Sequence, residues 1–324
     1  KKSERVPVLI VPHHLLAREE ISRAFQYVSG IVGGDVIRRV ILLSPNHFNI
    51  GNDWAVGSDR SWKTSFGSLE ADVRAIATLR DIALVDRSIL DREHGVFNIL
   101  PFIKEYFPQA KIVPLALRDG FPDERSDELG MQLLSIADSQ TLLIASAYFS
   151  HYLDENFSRL HDVQAIEALS RLRNYQVNSL DVDCSSCLRV AMKYAEAKQA
   201  PNFHLLSRTS SLEMTHSDAV GQETSHIVGY YSSSEANPRQ FGNSEVMGNV
   251  VSMLFSGSVL PKHMTPFARR MFMGQDLNIF GGLREEKGTA VFDIRREGYL
   301  SDVRVLNTGI SELEGTPGTG VTVE

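Results

Sequence analysis

Two short apolar runs near the start of the chain end in the same way. Val8-Leu9-Ile10-Val11 leads into Pro12-His13, and Val40-Ile41-Leu42-Leu43 leads into Ser44-Pro45-Asn46-His47. Runs this short, apolar at successive positions and rich in β-branched residues, read as strands buried on both faces of a parallel sheet. Between them Leu16, Ile21, Ala24, Phe25 and Val28 fall at helical spacing, so the opening reads strand, loop, helix, strand.

The alternation continues. Residues 54–66 read as a hairpin-bearing excursion with a strand at 55–56, and a helix is predicted over 70–79. A strand follows at 81–85, then a helix over 95–106 with Pro101 inside it, which predicts a kink. Residues 111–117 read as a strand in which Pro114 removes one ladder hydrogen bond. A helix at 127–137 precedes another buried strand at 141–147, which runs into Ser150-His151. Helices at 162–172 and 188–198 and strands at 203–207 and 227–232 complete the series. Strands alternating with helices predict an α/β domain, its mixed or largely parallel sheet flanked by helices. The polar stretch Ser232-Ser233-Ser234-Glu235-Ala236-Asn237-Pro238 marks the expected boundary: a domain over 1–234, then a small C-terminal appendage over 235–324. The appendage is expected to contain β structure, with a hairpin joining 290–295 to 302–306 around Glu297-Gly298.

Composition narrows the function classes. A net charge of -7 argues against nucleic acid as the main partner. No apolar stretch approaches the roughly 20 residues that span a bilayer, so no transmembrane segment is expected. The chain opens at Lys1, which reads as a trimmed N-terminus, and the expected location is cytoplasmic. Cys184 and Cys187 are its two cysteines, spaced Cys-Ser-Ser-Cys. Two cysteines make neither a disulfide framework nor a four-cysteine zinc site. The helical pattern after Cys187 suits a redox pair opening a helix, and structural and ligand roles stay open beside it.

The candidate chemistry is histidine-based. In open α/β sheets ligands sit beyond the carboxyl ends of the strands, where His13 and His47 are both delivered. Imidazole is a common ligand for zinc, iron and copper, so the pair reads as the start of a metal site, with His14 the rival to His13. His94 follows Glu93, which could equally cap a helix, and His151 follows the third buried strand. His161, His204, His216, His226 and His263 read as structural. No glycine-rich phosphate cradle, dinucleotide fingerprint or Gly-x-Ser-x-Gly elbow is present.

Six segments in order resemble the Memo family, including the component called AmmeMemoRadiSam system protein B. They are Pro12-His13-His14-Leu15, Ser44-Pro45-Asn46-His47-Phe48, Glu93-His94-Gly95 with Leu100-Pro101-Phe102, Ala147-Tyr148-Phe149-Ser150-His151, Cys184-Ser185, and Ser225-His226-Ile227-Val228-Gly229-Tyr230. The resemblance implies a class III extradiol dioxygenase-like fold and a mononuclear metal site held by His13, His47 and Cys184. Iron or copper is the implied metal, with zinc the alternative, and His151 and His94 would move protons. It implies a metal-dependent oxidoreductase acting with a small-molecule substrate or dioxygen. The alternatives are a non-catalytic metal- or partner-binding component of a radical-SAM-associated system, and a zinc-type hydrolase. The chain departs from the family's pattern at His14-Leu15, Phe48, Phe97, Ile99 and Tyr148, where Ala-Gly, His, Glu, His and an acidic residue are usual.

Overall fold

The computed structural model describes residues 4–236, except 52, 154 and 217–222, together with four short strands beyond them. The first apolar run is β1 (Val8–Val11), and a 3-10 turn at Leu15–Ala17 enters α1 (Arg18–Val32), which buries Ile21, Ala24, Phe25 and Val28. The second run is β2 (Arg39–Pro45). The excursion supplies β3 (Ala55–Gly57) and the hairpin of β4 (Trp62–Thr64) and β5 (Gly67–Leu69). The Asp72 carboxylate caps α2 (Val73–Thr78) by accepting from the Ala75 N–H, and β6 (Leu84–Val85) is shorter than predicted.

After α3 (Arg87–Leu90), the helix predicted over 95–106 is two helices, α4 (His94–Phe97) and α5 (Leu100–Tyr106). Pro101 lies in the first turn of α5, where its missing N–H has no intrahelical acceptor to lose, so it begins a helix instead of kinking one. Then come β7 (Lys111–Leu117), α6 (Asp123–Ile136), β8 (Thr141–Ser146), β9 (His151–Leu153) and α7 (Glu155–Ser170). Last are α8 (Ser185–Ala197), β10 (Asn202–Ser210), α9 (Ser211–Thr215) and β11 (Glu223–Ser232). Both α6 and α7 start earlier than predicted, on acidic first turns that complement the helix dipole.

The main sheet runs β10-β11-β1-β8-β2-β7-β3-β6, with β9 paired to β11 off that path. Its centre, β1-β8-β2-β7, is parallel, while β11 and β3 run antiparallel to the centre, so the sheet is mixed. Alternation splits the central strands between two cores. Ile10, Ile41, Leu43 and Leu143 pack in the core that includes Leu129 and Leu188 of α6 and α8. Leu9, Val40, Leu42 and Leu142 share the other with Phe25 and Ile103 of α1 and α5. Each such side chain, fully buried, contributes about 1.5–3 kcal/mol. Pro114 is tolerated centrally because of its position. Ile112 bonds outward to Glu70 and Asp72, so by alternation the Pro114 nitrogen faces the gap between that contact and the end of β3.

This topology sets the carboxyl ends of β1, β8 and β2 side by side, with the start of antiparallel β11 beside them. Among the described residues no helix is long and apolar enough to cross a membrane. Further on, β12 (Arg284–Glu286) pairs with β13 (Thr289–Val291), and β14 (Val303–Val305) with β15 (Val321–Val323). The hairpin expected between 290–295 and 302–306 is therefore replaced by pairings to other partners. The remainder of the expected appendage, including His263, lies outside the described residues.

Candidate metal centre

His13 and His47 leave adjacent regions of the sheet and meet beyond its edge, with their Nε2 atoms 3.2 Å apart. Each ring is fixed from behind. Ser146, the last residue of β8, donates its hydroxyl to the Gly95 carbonyl at 2.8 Å, so its oxygen accepts from His13 Nδ1–H at 2.9 Å. Glu93 accepts from His47 Nδ1–H at 2.6 Å and from the His47 backbone N–H at 2.9 Å. Both imidazoles thus keep the hydrogen on Nδ1 and turn Nε2 toward a common point. A hydrogen-bonded Nδ1–H behind a ligating Nε2 is the usual support of a metal-binding histidine.

Glu93 reaches this position because it caps α4, accepting from the Gly95 N–H at 2.9 Å. Gly95 is needed for close approach: a Cβ there would lie 2.2 Å from Ser44 Oγ. The same turn stacks His94 on His47, with ring centroids 3.9 Å apart. His13, His47 and His94 each offer a nitrogen within 4.8 Å of the others, a group able to hold a metal ion. His94, expected as a proton carrier, therefore lies in the cluster itself.

Cys184 is the third ligand that the resemblance implies. It is joined to Cys187 in a disulfide, and its sulfur caps α8 by accepting from the Cys187 N–H at 3.3 Å. The anionic group at the cluster is the preceding residue. Asp183 Oδ2 lies 3.5 Å from Nε2 of both His13 and His47. Its other oxygen accepts from the Tyr148 N–H at 2.8 Å, while Oδ2 is buried with no hydrogen-bond partner. An orphaned carboxylate oxygen facing two imidazole nitrogens fits a divalent cation. The sequence reading missed Asp183, and its only local sign was adjacency to Cys184.

A second ring of side chains surrounds the first. Tyr148 stacks on His13 at 3.8 Å between centroids and lies 5.3 Å from His151. His151, the other expected proton carrier, opens β9 and donates Nδ1–H to the Phe149 carbonyl at 2.6 Å. His14 faces His226 across 3.2 Å, which places His226 at this edge although its sequence context reads as structural. Behind β9 and β11, buried Arg208 bridges Asp162 at 2.7 Å and Glu223 at 2.6 Å.

Burial and neighbouring imidazoles hold His13 well below its ordinary pKa. Burial also opposes charge on His47, but the neighbouring Asp183 and Glu93 carboxylates outweigh it and raise His47 to about 9. Burial pushes the Asp183 carboxyl up, partly offset by His47. A divalent ion at the common point would replace the His47 proton as the countercharge to the two carboxylates.

Comparison with known proteins agrees with the sequence resemblance. A MEMO1 family protein of Nitrosopumilus maritimus is 30% identical over 205 residues, 59% of this chain and 71% of that one. Another, from Thermococcus onnurineus, is 28% identical over 257 residues, covering 69% and 84% of the two chains. A solved structure, of an uncharacterized protein from Escherichia coli K12, overlaps 69% of this chain and 100% of that one, with TM-score 0.43 and 14% identity. The family described as Memo-like protein matches residues 1–234, most of the chain, and the protein belongs to that family.

Proposed function

We propose that the chain is a mononuclear metal-binding protein acting as a metal-dependent oxidoreductase on a small-molecule substrate. The observation that carries this reading is the pair of Nε2 atoms 3.2 Å apart, each imidazole held from behind by Ser146 or Glu93. A transition metal bound there would supply Lewis acidity and, if iron or copper, one-electron chemistry toward dioxygen. The chain's own residues hold and orient that ion, while Tyr148 closes one side of His13. His151, one ring beyond Tyr148, stands where it can exchange protons with a substrate on the open side.

Two other readings have support. Three imidazoles within reach of one ion also match the ligand set of catalytic zinc, which favours a zinc-type hydrolase. Tyr148, Phe48 and Phe97 stand where the resembled family has polar groups, which favours a metal-holding component of a radical-SAM-associated system. Protein loaded separately with iron(II) and zinc(II) separates the three. Dioxygen uptake with iron alone, across a panel of oxidisable small molecules and reduced in His151→Ala without a shift in Tm, is the expected result. Ester or amide hydrolysis with zinc and no dioxygen uptake with iron would replace the oxidoreductase with the hydrolase. Metal binding with neither activity would leave the non-catalytic component.

A further inference from the structure

We propose that Asp183 is the anionic ligand of this centre, and that Cys184 is held out of it. The inference rests on the metal-binding reading above and deepens it by assigning the donor set. His13 Nε2, His47 Nε2 and Asp183 Oδ2 form a triangle with edges of 3.2, 3.5 and 3.5 Å. Metal–nitrogen and metal–carboxylate bonds of about 2.0–2.2 Å put neighbouring donors roughly 2.8–3.1 Å apart in an octahedral site and roughly 3.3–3.6 Å apart in a tetrahedral one. The triangle is therefore already close to the size of one face of such a site.

Asp183 is also prepared for the role. Its carboxylate is oriented by the Tyr148 N–H on one oxygen, and the Asp183 N–H donates to the Tyr148 carbonyl at 3.2 Å, so the turn before α8 is tied to the end of β8. The oxygen left over has no hydrogen-bond partner and points at both histidines. Leaving a buried carboxylate oxygen unpaired is costly, and a bound cation removes that cost. One residue later the sulfur of Cys184 is turned into the first turn of α8, where it accepts from the Cys187 N–H and is bonded to Cys187.

Two neutral imidazoles and one carboxylate form the facial set of non-haem iron(II) oxygenases, with positions open for other ligands. An oxygen donor in place of a thiolate disfavours copper(I). The same donors also hold catalytic zinc, so the set favours iron or zinc over copper.

Cobalt(II) titration of the full chain tests this, because cobalt–thiolate bonds give a near-ultraviolet charge-transfer band that carboxylate and imidazole do not. Asp183→Asn keeps an amide oxygen for the Tyr148 N–H and removes only the charged donor, and its Tm checks that the fold survives. The expected result is a loss of cobalt affinity on the order of 100-fold in Asp183→Asn. The paired Cys184→Ser, Cys187→Ser variant should change by less than about threefold. No thiolate band should appear with or without a phosphine reductant. Unchanged affinity in Asp183→Asn, or a thiolate band lost with the cysteines, would overturn the assignment while leaving the metal site standing. Wild-type protein that takes up no cobalt would overturn both.

Discussion

Glu93 shows how one side chain sets the quality of the centre. It fixes the His47 tautomer, accepts from the His47 backbone N–H and caps α4 through the Gly95 N–H with a single buried carboxylate. Glu93→Gln keeps an oxygen for two of these bonds but weakens the acceptor behind His47. Supports of this kind are worth 10- to 100-fold in metal affinity, on the order of the loss expected in a chelator-competition titration. His226 yields a pH prediction. Burial, with repulsion from His14, Arg208 and His151, lowers it to about 3. The unfolded chain therefore takes up this proton near pH 6.5 while the folded chain does not. Stability that is complete above pH 6.5 is lost as pH falls toward 3, at about 1.4 kcal/mol per pH unit for this group. Urea denaturation from pH 7 to 4 should show His226→Phe gaining on wild type by about that slope. Parallel loss in the two proteins would place the titration elsewhere. His13 and His47 were legible in the sequence because each ends a buried strand. Asp183 and Ser146 were not, because what brings them in is the insertion of β8 between β1 and β2, and no local spacing encodes that.

The elements around the cluster divide the work of holding it. β1, β2 and β8 are buried on both faces, and their regular apolar runs made them readable to within a residue or two. The pieces between were harder. The run over 95–106 is interrupted at Asn98 and restarts as α5 with Pro101 in its first turn, and the Asn98 amide donates to the His13 carbonyl at 2.8 Å. β10 and β11 are tied to α7 by an ion network the sequence did not announce. Arg208, 4% exposed, sits between carboxylates that are 0% exposed. Arg208→Met would leave Asp162 and Glu223 buried without their counterion, and a loss of about 3–5 kcal/mol is expected in urea denaturation. A loss under about 1 kcal/mol would mean that the carboxylates are neutralised by other means.

Taken whole, the molecule places its chemistry at one edge because four parallel strands share a direction and antiparallel β11 returns to the same edge. The fold class and the address of the site were both readable from strand–helix alternation and from strands that end in histidine. The antiparallel outer strands, the disulfide and the pairing of the distal hairpins depend on contacts between distant segments, which periodicity does not report. The same architecture explains why the centre has two kinds of donor. Loops after β1 and β2 bring imidazoles, and the turn before α8, anchored on β8, brings the carboxylate. The central claim is that these loops hold one metal ion. Elemental analysis of anaerobically loaded, desalted protein tests it most directly, with wild type beside His47→Ala and His151→Ala. One iron or zinc per chain in wild type and His151→Ala, and none in His47→Ala, is the expected result. Metal-free wild type after loading, or equal metal in His47→Ala, would contradict it.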